Sequence, residues 1–339
     1  MKAVGGDGKS RPIKIATRGS ALALWQAEYV KQLHTAAGLA SEICVIKTKG
    51  DQDTSTPLHL LGSKSGAFIK EIEDRLEDGA VDVAVHSLKD VALTQPPGLA
   101  LVCVLKRGPH QDCVIFNETY RDLPELRTGV LDRKFFADRQ PRLATGSLRR
   151  QAFLRSIHKG YPLIPLRGNV NTRLQRMVEK GWDGIMLAKA GVERINLAPH
   201  LRVVDVDDTL VVPAPGQGAL GLEARADHPL QKVWQGWQDP PTRYFTDLER
   251  KIMKMFGGTC TLPMGVHCLP TTIKGKPGVG VKVFAGTLDG DVVYVDQGIA
   301  DTNGDPQADP RILQAVKELA LKLGINRILK ALGIKEVEI

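Results

Sequence analysis

The sequence predicts an α/β protein: two similar α/β lobes with a central cleft between them, plus a smaller C-terminal α+β domain. Three observations carry that expectation. Apolar runs rich in Val, Ile and Leu alternate with helical patterns through the first 225 residues, which implies βαβ units and a mainly parallel sheet. Two segments then recur. "RLATGSLRRQAFL" (Arg142 to Leu154) echoes "KIATRGSALALW" (Lys14 to Trp25), and "EKGWDGIMLAKAG" (Glu179 to Gly191) echoes "EDGAVDVAVHS" (Glu77 to Ser87). Beyond Asp239-Pro240-Pro241 the texture changes to one helix, several strands and a last helix.

The elements follow in order. Pro12 to Thr17 is a short buried strand, and a helix from about Ser20 sets Leu22, Trp25, Tyr29 and Leu33 along one face. "GAFIKEIEDRLEDG" spaces Phe68, Ile69, Ile72 and Leu76 as a helix that stops at Gly79, and Val81 to Ser87 is the next strand. "PAPGQGALG" (Pro213 to Gly221) lacks both common phosphate-loop spacings and is a tight crossing between domains. A helix over about Thr242 to Phe256 leads into "GGTC", which ends at Cys260. Strands follow around Val266, over Val281 to Leu288 and over Val292 to Ile299, with Asp289-Gly290 as a hairpin turn. The final helix, Pro310 to Leu323, carries Leu313, Val316, Leu319, Ala320 and Leu323 on its apolar face.

Composition excludes several classes. No apolar run reaches the length of a membrane span, and the start "MKAVGGDGKSRP" lacks the apolar middle of a secretory signal. A cytoplasmic protein is expected, with an organelle after trimming as the variant of that reading. Five cysteines, most inside apolar segments, point to reduced thiols; none completes a zinc set, so no metal is expected. With 46 Lys and Arg against 38 Asp and Glu the chain is basic, but aromatics are only 5% and no basic run exists, so nucleic acid is not the expected partner.

The arginines instead sit at junctions. "IATRGS" (Arg18, Ser20), "LATGSLRR" (Thr145, Ser147, Arg149, Arg150) and "IPLRGNVNTR" (Arg167, Asn169, Thr172, Arg173) each run from a strand through a polar turn into a helix. Unpaired N–H groups, a helix dipole and a guanidinium fork then converge where a carboxylate would sit. Singly, each is helix capping beside surface arginine; three at strand C-terminal ends favour a polyanion-binding cleft. "VAVHSLKD" delivers His86, Ser87, Lys89 and Asp90 at the end of a strand. A carboxylate beside an ammonium there either stabilises a developing cation or merely caps the turn. Cys260, after two glycines and a threonine, is open to four roles: metal ligand, disulfide partner, nucleophile or attachment point.

Taken together, "IATRGSALALWQA", "VDVAVHSLKDV", "TGSLRRQ", "LRGNVNTRL", "PGQGALGLE" and the Cys260 loop resemble the porphobilinogen deaminases, from about Pro12 to nearly the end. The resemblance implies two periplasmic-binding-protein-like α/β domains, 12–106 with 219–237 and 111–213, and a third α+β domain, 241–339. It implies a monomer and a transferase of tetrapyrrole and haem biosynthesis. Four porphobilinogen molecules would be deaminated and joined on a dipyrromethane cofactor, thioether-linked to Cys260, before hydrolysis frees hydroxymethylbilane. Asp90 matches the catalytic carboxylate that faces the cationic azafulvene left by loss of ammonia. Ser87, Lys89, Thr145, Ser147, Arg149, Arg150, Gly168 and Arg173 would hold the cofactor. Arg18, Ser20, Gln26, Phe68, Arg167, Arg194 and Gln217 would hold the substrate.

Some positions depart from that pattern. Thr259 and Gly146 stand where glycine and serine are usual, "HLLGSKSGAF" replaces a lysine-bearing loop, "RGPHQD" (Arg107 to Asp112) replaces Arg-Glu-Asp-Pro-Arg-Asp, and "DRKFFADRQ" (Asp132 to Gln140) looks like an added basic loop. A non-enzymatic carboxylate-binding protein of the same two-lobed architecture is the competing reading, and it needs neither Asp90 nor Cys260.

Overall fold

The computed structural model describes residues 11–48, 50, 69–196, 201–258, 262–300 and 309–337. Cys260, Thr259, Phe68 and the segment from Thr54 to Ala67 lie outside the described residues. The first lobe starts with β1 (Ile13–Thr17), α1 (Ala21–Ala36), β2 (Ser41–Val45), α2 (Lys70–Glu77), β3 (Val83–Ser87) and β4 (Leu99–Val104). A first crossing leads to β5 (Asp112–Phe116), β6 (Val130–Leu131), α3 (Arg133–Arg139), β7 (Leu143–Ala144) and α4 (Leu148–Ile157). The second lobe continues with β8 (Leu163–Ile164), α5 (Val170–Glu179), β9 (Gly184–Ala188), α6 (Lys189–Arg194) and β10 (Arg202–Val206). A second crossing returns to β11 (Leu220–Arg225) and α7 (Gln231–Gln235). The rest is α8 (Pro240–Met255), β12 (Met264–Ile273), β13 (Lys276–Gly286), β14 (Val292–Ala300), α9 (Asp309–Lys322) and α10 (Ile325–Ala331).

The echo in the sequence is an echo in topology. The first sheet runs β2-β1-β3-β11-β4, and the second runs β8-β7-β9-β5-β10 with β6 added at the edge. In both, the first three strands are parallel, and the fourth is antiparallel to its neighbours. The repeated segments map onto β1–α1 against β7–α4, and β3 against β9. The antiparallel strand in each lobe is the one that arrives from the other lobe, so the sheets are mixed where the sequence suggested mainly parallel ones.

Apolar side chains cover both faces of each sheet. Ile15, Val85, Leu222 and Trp234 pack on one face of the first, and Ala84, Ile72 and Leu76 on the other. The packed face of α1 differs from the expected one. Gln26, Ala27, Val30 and His34 are buried, while Trp25 and Tyr29 are exposed and stacked on each other. Two polar groups tolerate burial because they are paired: Gln26 donates to Ser87 Oγ at 2.9 Å, and Trp234 Nε1 donates to His34 Nε2 at 3.0 Å. The expected loop at 132–140 is helix α3 instead. Asp132 caps it, accepting from Phe135 N, and Phe135 and Phe136 complete an edge-to-face series from Phe116 to Phe153 inside the second lobe.

The third part is a three-stranded antiparallel sheet covered by α8, α9 and α10. Asp239 caps α8, accepting from Thr242 N at 3.0 Å, with proline in the first turn. Its attachment is uneven. Phe284 of β13 is fully buried in the apolar core of the second lobe. Contacts to the first lobe are more polar: besides Leu93, which packs against the third part's apolar core, Arg250 donates to the carbonyls of Val91 and Ala92, and Arg243 to that of Leu101.

The two crossings touch. Gly108 N donates to Gly218 O at 3.1 Å. Gly218 has φ +91°, and a Cβ there would lie 2.6 Å from Pro109 O; one on Gly216 would lie 2.8 Å from Leu88. Gly218→Ala should therefore lose about 1–2 kcal/mol from the left-handed backbone alone and more from the collision. A fall in the urea midpoint tests this; an unchanged midpoint would mean that the crossings separate freely.

Candidate active site

The predicted junctions stand at the C-terminal ends of parallel strands, where open α/β sheets present their binding edge. At the β1–α1 turn, Ser20 caps the helix, accepting from Ala23 N at 3.3 Å, and Arg18 is half-buried beside it. At the β7–α4 turn, Thr145 is buried and its Oγ1 accepts from Ser147 N at 3.2 Å. Ser147 is the cap residue of α4, but its hydroxyl makes no capping bond. At the β8–α5 turn, Asn169 caps by accepting from Thr172 N, and Arg173 Nε donates to Gly168 O at 2.7 Å. Arg167, half-buried, precedes that turn.

Asp90 is exposed at the end of the short turn Leu88–Asp90 that follows β3. The turn is braced from below by Leu88, Val91, Val104 and Ala219. His86 is turned away into the lobe, where its Nε2 lies 3.1 Å from Glu223 Oε2 on β11, so it ties two strands together. Ser87, by contrast, receives Gln26.

The two lobes meet electrostatically at this point. Burial pulls the half-buried Lys89 down to about 8; neighbouring Asp90 opposes the shift and Arg150 adds to it. Burial also lowers Arg173 to about 10, still charged at neutral pH, with Arg150 and Arg167 adding to the shift and Asp90 opposing it. Lys89 and Asp90 belong to the first lobe, and the arginines to the second. Five cations, Lys89, Arg149, Arg150, Arg167 and Arg173, thus face two carboxylates, Asp90 and Asp112. Such an excess of positive charge in a partly desolvated place favours anions.

Asp112 is the residue that sequence reasoning missed. It is 1% exposed and accepts from Arg149 Nη1 and Arg150 Nη2, each at 2.8 Å, and from Gln217 Nε2 at 2.9 Å. The guanidinium pair holds its carboxyl well below the usual range, against the cost of burial. Arg149 donates also to Val212 O and, at 3.4 Å, to Gln217 Oε1. Arg149 and Gln217 thus form a bonded group around Asp112 at the back of this cluster. Arg150 differs. It is 6% exposed, its Nη groups go to Asp112 and Met186 O, and its Nε has no hydrogen-bond partner among the described residues. Arg194 donates to Gly218 O at 2.6 Å and lies 5.6 Å from the centre of the Trp25 ring.

A second hub, also unforeseen, joins the crossing to the third part. Glu249 on α8 is fully buried and accepts from both Nη groups of Arg107, at 2.7 and 3.2 Å, and from Gly216 N and Cys268 N. Burial opposes ionisation there, but Arg107 and His267 outweigh it and hold Glu249 at about 2. The signal was present: Glu249 falls on the same stripe of α8 as Thr242, Thr246 and Ile252, all of them buried.

A family model described as "Porphobilinogen deaminase, dipyromethane cofactor binding domain" matches residues 13–232. A porphobilinogen deaminase of Syntrophotalea carbinolica is 38% identical over 334 residues, covering 96% of this chain and 97% of the relative. Those of Campylobacter fetus and Chromobacterium violaceum are 37% and 41% identical, covering 84% and 75% of this chain and 88% and 78% of the relatives. Among the described residues, no helix is long and apolar enough to cross a membrane.

Proposed function

The chain belongs to the porphobilinogen deaminase family, and from that premise we propose that it deaminates porphobilinogen and joins four units head to tail, releasing hydroxymethylbilane. The observation that supports this most is the excess of cations between the lobes, with the buried Arg150 Nε unpartnered in its midst. Porphobilinogen carries two carboxylates, so a growing product adds negative charge with every unit, and a site short of anions suits it.

The same residues fit a dipyrromethane, whose ring carboxylates need several cations and whose anchor is a thiol. In this reading Lys89, Arg150 and Arg173 hold those carboxylates, with Ser87, Thr145, Ser147 and Gly168 shaping the cradle. Arg149 and Gln217 keep the guanidinium groups in place, and Cys260 is the point of attachment. When bound, the dipyrromethane supplies the primer ring to which new units are added. Arg18, Ser20, Gln26, Arg167, Arg194 and Phe68 would serve the arriving substrate.

Asp90 has the central role. Loss of ammonia from porphobilinogen leaves a cation, and an exposed carboxylate at the lobe edge stabilises it and can hold a pyrrole N–H proton. Lys89 and Arg173 lie within electrostatic reach of that carboxylate.

Intact mass spectrometry of the denatured chain tests the proposal. A mass increment equal to two linked pyrroles, lost in Cys260→Ser, is expected. A chain that remains unmodified after incubation with porphobilinogen would sink the reading and leave a plain carboxylate binder.

A further inference from the structure

His110, Asp208 and His267 come from three separate parts: the first crossing, the segment after β10, and β12. Their ligand-capable atoms all lie within 4.8 Å of one another. His110 Nε2 is 2.9 Å from Asp208 Oδ2, and the two imidazoles are stacked with centres 4.1 Å apart and planes 25° apart. His267 is 3% exposed, and its Nδ1 is 3.0 Å from Glu249 Oε1. A buried carboxylate on Nδ1 fixes the proton there and leaves Nε2 as a lone pair, the arrangement that orients metal-binding histidines.

We propose that His110, Asp208 and His267 bind one divalent transition-metal ion of borderline softness, zinc being the type case. Two imidazoles and one carboxylate form a common ligand set for such an ion, with water completing the coordination. Two imidazoles on one zinc at tetrahedral angles would have centres about 5 Å apart, from Zn–N distances near 2.0–2.1 Å. The stack must therefore open by about 1 Å, and the ion takes the place of the proton on His110 Nε2, which passes through solvent to Nδ1 so that the ligand is a neutral imidazole. Lys282 Nζ donates to Asp208 Oδ1 at 2.8 Å, so it leaves Oδ2 to the ion while its charge weakens binding. His110 lies in "RGPHQD", a segment where this chain departs from the pattern of the proteins it resembles. The inference is independent of the proposed activity.

The test is a cobalt and zinc titration of the full chain after stripping with a chelator, followed by absorption spectroscopy and calorimetry. One ion per chain is expected, with cobalt d–d bands and no thiolate charge-transfer band. His110→Ala and Asp208→Asn should each weaken binding by about tenfold or more, and Lys282→Met should tighten it. Absence of binding, a thiolate band, or an affinity unchanged in His110→Ala would overturn the proposal. Should the first two variants fail to fold, Lys282→Met decides alone: tighter binding supports the site, and unchanged or weaker binding removes it.

Discussion

Asp90→Asn lowers kcat by roughly 10²–10⁴-fold, the usual loss when a positioned proton-handling group is removed. The amide keeps the shape of the carboxylate, so the turn Leu88–Asp90 keeps its brace of Leu88, Val91 and Val104. What disappears is the negative charge that Lys89 and Arg173 feel from Asp90. An interaction made mainly in the transition state lowers kcat and kcat/KM together, whereas lost ground-state binding raises KM alone. Steady-state kinetics on porphobilinogen separates the two. Turnover within a few-fold of the unaltered chain would take Asp90 out of the mechanism.

Asp112→Asn has the largest expected effect on stability. The carboxylate is the shared acceptor of Arg149, Arg150 and Gln217. Breaking a buried ion pair by removing one partner leaves uncompensated charge and costs about 3–5 kcal/mol. Denaturant unfolding should show a clear fall in midpoint, and the mass increment on Cys260 should fall with it because the cradle loses its shape. A stable variant with a full increment would show that the arginines hold themselves. The pH dependence follows the same residues. Asp112 and Glu249 both have folded pKa values below their unfolded ones, so their contribution is present above the ordinary carboxylate range. It is lost as pH falls from about 4, and for Glu249 the loss runs down to about 2.

The sequence made local chemistry legible and hid what is paired at a distance. Each junction is a strand end, a turn and a helix start within about ten residues, so Arg18, Ser147 and Arg173 could be placed by eye. The repeat was legible for the same reason, since β1–α1 and β7–α4 are short contiguous units. Asp112 was not, because its partners Arg149 and Arg150 lie 37 and 38 residues further on. Glu249 joins Arg107 across 142 residues, and His110 meets Asp208 across 98. No spacing rule reaches that far. The face of α1 was misjudged because apolar size was the guide, while the fold buries Gln26 and His34 and satisfies them with Ser87 and Trp234.

The exchange of strands between lobes also sets an order of assembly during synthesis. β5 to β10, residues 112 to 206, supply every strand of the second sheet from one stretch of chain. The first sheet cannot close until β11 slots between β3 and β4, a pairing that brings His86 to Glu223 across 137 residues. At 5–20 residues per second, β3 and β4 wait on the order of 10 s for that strand to leave the ribosome. The later lobe of the chain is thus the first able to complete its sheet, and the lobe that carries Asp90 is finished from behind.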